Sequence, residues 1–288
     1  MSALQMRCAK FKRRFEAKFA MTVFEKYAQY YDLYYAGKAY DRECDFIEAS
    51  FVRFGQRPRT ILDLACGTGN HGVRLVTRGY QLCGVDLSAV MLSQYRQKLE
   101  AQKLSVELHQ QDLRRLDLGR QFDAAICMFD AIDYLPDNAD LVTFLERVHA
   151  HVRPGGLFLF DFWHAAAILR GHDPIRVKEF SLDGGRLLRI STTILDIGRQ
   201  TANVEFRVLA FEQDRLVADF TEVHSMRYFL AQEMSFILQA TGWQVRHLCP
   251  AFDLDGTVDA NTWHMVAIAT PIGETKGFSK SRGGSSSA

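Results

Sequence analysis

The middle of the chain alternates short apolar runs with amphipathic ones. Thr60 to Leu64 predicts a strand, and the next pattern, from near Asn70 to Arg78-Gly79, predicts a helix stopped by a basic residue and a glycine. Tyr80 to Asp86 predicts a second strand. Ser88 then stands at an N-cap, ahead of a helix whose Val90, Met91, Tyr95 and Leu99 recur at near-helical spacing. Leu104 to Gln110 and Phe122 to Met128 predict the third and fourth strands. Asn138 to His151 predicts a helix closed by Pro154-Gly155-Gly156, and Leu157 to Phe162 an apolar fifth strand with Asp161 near its end. This alternation is the pattern of a parallel sheet built from βαβ units.

The rhythm then shifts to period two. From about Arg176 to Arg227 the runs "IRVKEFSL", "GRLLRISTTILDI", "ANVEFRVLAFE" and "RLVADFTEVHSMRYF" follow one another without a helical pattern between them, so they should pair antiparallel. Asp183-Gly184-Gly185 is a hairpin turn signal. A helix over about Leu230 to Ala240, stopped at Gly242, and strands over Gln244 to Leu248 and Thr262 to Thr270 complete the expected α/β fold. An insertion after the fifth strand of such a sheet lands beside its ligand crevice, where it can act as a lid.

Composition narrows the class. A 288-residue chain with 48% hydrophobic and 24% charged residues can bury a sizeable core. With 35 basic against 34 acidic residues it lacks the basic excess of a nucleic-acid binder. No apolar run approaches the roughly 20 residues of a membrane span. The six cysteines are scattered, without C-x-x-C or zinc spacing, so the expectation is reduced thiols, no metal and a cytoplasmic setting. The divisions expected are a basic flexible extension over residues 1–20, a tyrosine-rich helical arm over 21–58, an α/β domain over 59–172 and 229–271, an antiparallel lid over 173–228, and a Gly/Ser/Lys-rich disordered tail over 272–288.

The chemistry concentrates in "ILDLACGTGNHG", Ile61 to Gly72. Gly67, Gly69 and Gly72 satisfy the G-x-G-x-x-G pattern of dinucleotide turns, which is weak evidence alone. Glycines let backbone amides approach a ligand, and the following helix start offers free N–H groups. Acids stand at the ends of three successive strands: Asp63, Asp86 and Asp112. Asp86 is placed to accept ribose hydroxyls, and Asp112 to read an adenine edge. Asp63 separates two cofactors. It would repel a pyrophosphate but suits a ligand carrying a sulfonium and an ammonium. A nicotinamide oxidoreductase is therefore disfavoured, and a non-catalytic cofactor-binding module stays as a further alternative.

In order, "ILDLACGTGNHGVRL", "GVDLSAVML", "QQDLRRL", "FDAAICMFDAIDYLPD" and "VHAHVRPGGLFLFDFW" resemble the motif series of class I S-adenosylmethionine-dependent methyltransferases over about residues 22–270. The resemblance implies a Rossmann-like, mostly parallel sheet of seven strands, the last antiparallel. It places Asp63, Ala65, Cys66, Gly67 and Gly69 at the methionine end of S-adenosyl-L-methionine. It sets Asp86 on the ribose, Leu87 and Met91 against the adenine, Asp112 and Leu113 at its edge, and Met128 beneath the cofactor. The organisation is most similar to small-molecule N-methyltransferases acting on nucleotide-linked amino sugars, and more distantly to glycine N-methyltransferases. O-methylation of a small molecule remains an alternative. The partners implied are a small-molecule substrate, no nucleic acid and no membrane, with a homodimer left open.

Tyr27 to Tyr40 holds six tyrosines in fourteen residues. They read either as packing faces or as an aromatic cover over a sulfonium. By resemblance Tyr31 and Tyr40 face the active site, and Arg42 holds the methionine carboxylate. Candidate catalytic groups are Tyr134, His224 and Tyr31; a hydroxyl acceptor would need a base, whereas an amine needs alignment and loss of a proton. Asp130, Trp163, His164 and Arg227 are candidate substrate contacts, Arg227 for a phosphate or carboxylate.

Overall fold

The computed structural model describes residues 26–273, so the expected basic extension and nearly all of the expected tail lie outside the described residues. Helices form over α1 (Tyr31–Tyr34), α2 (Tyr40–Arg53), α3 (Asn70–Thr77), α4 (Ala89–Gln102), α5 (Asn138–His151), α6 (Ala165–Gly171) and α7 (Ala231–Ala240). Strands β1 (Thr60–Leu64), β2 (Gln81–Asp86), β3 (Glu107–Gln110), β4 (Phe122–Cys127), β5 (Val152–Trp163), β10 (Trp243–Pro250) and β11 (His264–Pro271) form a seven-stranded sheet, ordered β10-β11-β5-β4-β1-β2-β3. All run parallel except β11, which is antiparallel to both neighbours. This is the expected α/β class.

Alternation along β5 builds the core on both faces. Phe158, Phe160 and Phe162 join Phe144 and Leu145 of α5 and Leu238 of α7 on one side. Leu157 and Leu159 join Ile47 and Phe51 of α2 and Leu75 of α3 on the other. Phe160 is fully buried, and Phe160→Ala would cost about 3–5 kcal/mol.

Three local expectations need correction. The third strand starts at Glu107 rather than Leu104, because Lys103 takes a left-handed φ of 55° and the chain needs several residues to re-enter the sheet. The Pro154-Gly155-Gly156 run lies inside the first residues of β5, beyond the helix it was expected to close. Helix α5 already ends at His151, since Val152 is extended. Glycine is required at 156 because a Cβ would sit 2.6 Å from the Asp123 carbonyl oxygen. The Ala-rich α6 was not anticipated.

A second, antiparallel sheet follows: β6 (Ile175–Leu182), β7 (Gly185–Asp196), β8 (Thr201–Glu212) and β9 (Arg215–Arg227), paired in chain order. Asp183-Gly184 makes the tight turn into β7, with Gly184 at φ 75°. Leu187 and Val208 of its inner face pack on Tyr27 and Tyr34, so the tyrosines bind the N-terminal arm to this sheet. The chain leaves and rejoins the core at one place. Phe229 donates to the Trp163 carbonyl at 2.9 Å and accepts from Ala165 at 2.8 Å.

Candidate active site

The strand order reverses between β1, which pairs with β2 on one side and with β4 on the other. Such a switch opens a crevice at the carboxyl ends of the strands. The loop Ala65 to Gly69 lines it, with left-handed φ of 51° at Ala65, 54° at Gly67 and 77° at Gly69. A side chain at Gly67 would project into open space, whereas a Cβ at Gly69 or Gly72 would strike Tyr95 of α4 at 2.1 or 1.9 Å. Gly72 thus serves helix packing.

Asp63 is buried, and its Oδ2 has no hydrogen-bond partner among the described residues. Burial, and then the nearby Asp86, push its carboxyl up to about 8. A cation placed beside it would restore its charge, and an anion would not. Asp86 accepts from the Gly67 and Ser88 amides, both at 2.8 Å, which fixes its orientation. Burial raises it above the ordinary carboxylate range despite these bonds. Each of its oxygens retains a lone pair for a hydroxyl. Ser88 caps α4 by accepting from the Met91 amide at 3.3 Å. Met91 and Met128 are buried along the crevice, while Leu87 is 57% exposed at its rim. Asp112 caps the turn before Leu113, accepting from the Arg114 amide at 2.9 Å, and its carboxylate is held by the Arg114 guanidinium. The unpartnered Asp63 oxygen and the open space above Gly67 fit a positively charged adenosine cofactor.

The arm crosses this crevice. Asp32 accepts from Thr68 at 2.7 Å and Asn70 at 3.0 Å and pairs with Lys98 at 2.8 Å, tying the arm to the glycine loop and to α4. Tyr31 lies edge-on to Phe129, centroids 6.2 Å apart. Phe129 and Asp130 both adopt left-handed φ, 71° and 57°, a strained pair of the kind found at working sites. Tyr40 is buried against His71. Arg42 is exposed on α2, and the cation that faces inward is Lys38, over the rings of Tyr40, Phe129 and Phe252 and paired with Glu43. Sequence reasoning missed Lys38 because one charged residue in a polar turn carries no distinguishing signal.

On the far side the structure brings two expected residues together. Tyr134 and His224 Nδ1 are 2.7 Å apart, although 90 residues separate them. Burial holds His224 below the ordinary imidazole range, with Glu222 pulling the other way. Burial raises the Tyr134 phenol well above its usual value. Glu222 also accepts from the Lys26 and Tyr27 amides, both at 2.8 Å, so it pins the arm to β9. The other substrate candidates divide. Arg227 is buried and consumed by structure, pairing with Glu233 at 2.6 Å and Asn138 at 2.6 Å. His164 is buried and bonds the Thr262 carbonyl at 3.0 Å. Trp163 keeps a buried indole N–H without a partner among the described residues.

Beyond them lies a cavity of about 450 Å³. Lys38 and Glu43 line it from the arm side, Phe129 and Asp130 from the turn after β4, Asp161 from β5, and Trp263 and His264 from the start of β11. Asp161 accepts from the Asp130 amide at 3.0 Å, and His264 Nδ1 stands 2.8 Å from Asp130 Oδ1. Burial, and then Asp130, push Asp161 up to about 8. The five described cysteines are unpaired, four of them buried. Among the described residues no helix is long and apolar enough to cross a membrane.

Comparison with known proteins agrees with this geometry. The profile of a methyltransferase domain matches residues 61–156. The chain is 30% identical over 224 residues to a dTDP-3-amino-3,6-dideoxy-alpha-D-glucopyranose N,N-dimethyltransferase from Streptomyces fradiae, spanning 77% of this chain and 85% of that protein. It is 29% identical to a dTDP-3-amino-3,4,6-trideoxy-alpha-D-glucopyranose N,N-dimethyltransferase from Streptomyces venezuelae, over 77% of this chain and 92% of that one. Its fold matches the sugar N-methyltransferase KedS8 from Streptoalloteichus with a TM-score of 0.72 and 27% identity, covering 87% of this chain and 95% of that one. The resemblance drawn from the motifs therefore holds, and the chain belongs to the class I S-adenosylmethionine-dependent methyltransferases.

Proposed function

We propose that this enzyme methylates the amino group of a nucleotide-linked amino sugar. The reading rests on the cavity beside the crevice, partly open to solvent, whose Glu43, Asp130 and Asp161 suit a small amine acceptor. The two Streptomyces relatives, which act on dTDP-linked amino sugars by name, support the acceptor class. Asp63 and the Ala65-Cys66-Gly67-Gly69 loop would hold the methionine end, with Lys38 rather than the exposed Arg42 near its carboxylate. Asp86 would hold the ribose, with Leu87, Met91, Asp112, Leu113 and Met128 around the adenine. Bound there, the cofactor supplies an electrophilic methyl group on a sulfonium. Tyr31 and Tyr40 exclude water from it. Tyr134, fixed by His224, orients the acceptor.

The test is direct. Purified protein is incubated with S-adenosylmethionine and dTDP-3-amino-3,6-dideoxy-α-D-glucopyranose, and the product is weighed by mass spectrometry. The expected result is a gain of one or two methyl groups, absent with the 3-hydroxy counterpart. Binding of S-adenosylhomocysteine without transfer to the amino sugar would overturn the acceptor assignment.

A further inference from the structure

The cavity holds a histidine that the reading above leaves unused. His264 opens β11, and its Nδ1 is engaged by Asp130 at 2.8 Å. A carboxylate partner fixes the proton on Nδ1 and leaves Nε2 as the basic nitrogen. One ligand atom from each of Asp130, Asp161 and His264 lies within 4.8 Å of the others, a spacing that can surround a small cation. The His264 side chain is 40% exposed, against 5% for Asp130. The ring thus reaches from a buried carboxylate to solvent.

We propose that this cavity receives the acceptor amine and that His264, positioned by Asp130, takes its proton through Nε2. The proposal rests on amine methylation as the reaction. An amine in neutral water is an ammonium. Its N–H bond breaks, the electron pair stays on nitrogen, and the proton passes to Nε2 and then to water from the exposed side of the ring. The nitrogen is left with the lone pair that methylation requires.

The surroundings favour a cation. Lining the cavity with His264 are Lys38 and Glu43 from the arm side, Asp130 from the turn after β4, and Asp161 from β5. Lys38 is paired with Glu43, and a cation in the cavity would restore the charge of the buried Asp161. Burial pulls the imidazole down, but Asp130 and Asp161 outweigh it and hold His264 above its ordinary 6.5. His224, 1% exposed, offers no comparable route to water.

Wild type, His264→Gln and Asp161→Asn are compared in kcat/KM for dTDP-3-amino-3,6-dideoxy-α-D-glucopyranose across about pH 5.5 to 9. Wild-type kcat/KM should rise through a step above pH 6.5. His264→Gln should lower it about a hundredfold and abolish the step, with S-adenosylhomocysteine affinity unchanged by calorimetry. A retained step with near-wild-type kcat/KM would overturn the proposal. A second measurement separates this site from the identity of the acceptor. The ¹⁵N resonances of His264 are followed while cyclohexylammonium chloride is added to wild type and Asp161→Asn. A saturable shift in wild type, weakened in Asp161→Asn, supports the site even where the amino sugar is not methylated. Absence of any shift in wild type counts against it.

Discussion

His224 and His264 are each held through Nδ1, at 2.7 Å by Tyr134 and at 2.8 Å by Asp130, yet the two imidazoles are driven in opposite directions. At His224 burial wins over Glu222 and keeps the ring neutral. At His264 burial also opposes charge, but Asp130 outweighs it. The partner's charge and the access to water decide the outcome, and hydrogen-bond length does not. The linkage signs differ accordingly. His224 contributes stability above the unfolded value of 6.5 and loses it as pH falls towards its lowered value. His264 contributes stability below 6.5 and loses it as pH rises through its raised value.

The largest expected effect tests whether both histidines stand apart from the cofactor. Asp86→Ala should weaken S-adenosylhomocysteine binding by more than about a hundredfold, since several hydrogen bonds to one carboxylate are lost together. Calorimetry on His224→Gln and His264→Gln should give wild-type affinity, and a comparable loss in either would merge the two halves of the crevice. Next, Asp130→Asn removes the charge that raises His264. Its kcat/KM step should move to lower pH with a loss of about tenfold at pH 7; an unmoved step would give the role to another group. Tyr134→Phe should lower kcat several-fold and leave cofactor affinity alone, so an equal effect on both would place the phenol against the cofactor. The smallest effect is thermodynamic. His224→Gln should cost about 1 kcal/mol at pH 8, read by thermal melts. That difference should shrink towards pH 5, and a difference that grows would reverse the sign assigned to His224.

Much of the fold was legible because its signals are local. The expected bounds of β1 and α5 match the structure to the residue, since an apolar run and a clean helical period mark them. The hairpin at Asp183-Gly184 follows from turn chemistry. The glycine loop and its acids were legible for the same reason. Partners across long stretches were not. His264 and Asp130 lie 134 positions apart, and Glu222 meets Tyr27 across 195. One clue was available: His264 begins a strand antiparallel to β5, and so must stand at the carboxyl edge of the sheet. Arg227 misled in the other direction. Glu233, six residues on, occupies its guanidinium and also accepts from the Leu230 amide at the start of α7.

The junction at Phe229 has a consequence for how such an enzyme can diversify. Because Trp163, Ala165 and Phe229 join by backbone hydrogen bonds, the segment between them departs from and returns to nearly one point. Closing a loop whose ends already touch adds little entropy as its length changes. The four-stranded sheet can therefore be shortened, extended or exchanged for a relative's with the glycine loop and its acids untouched. A chimera that swaps residues 173–228 but keeps Leu187, Val208, Glu222 and His224, which hold the arm and Tyr134, should keep its cofactor affinity. In this architecture the second sheet is a graft on the first, held at the backbone seam of Trp163, Ala165 and Phe229.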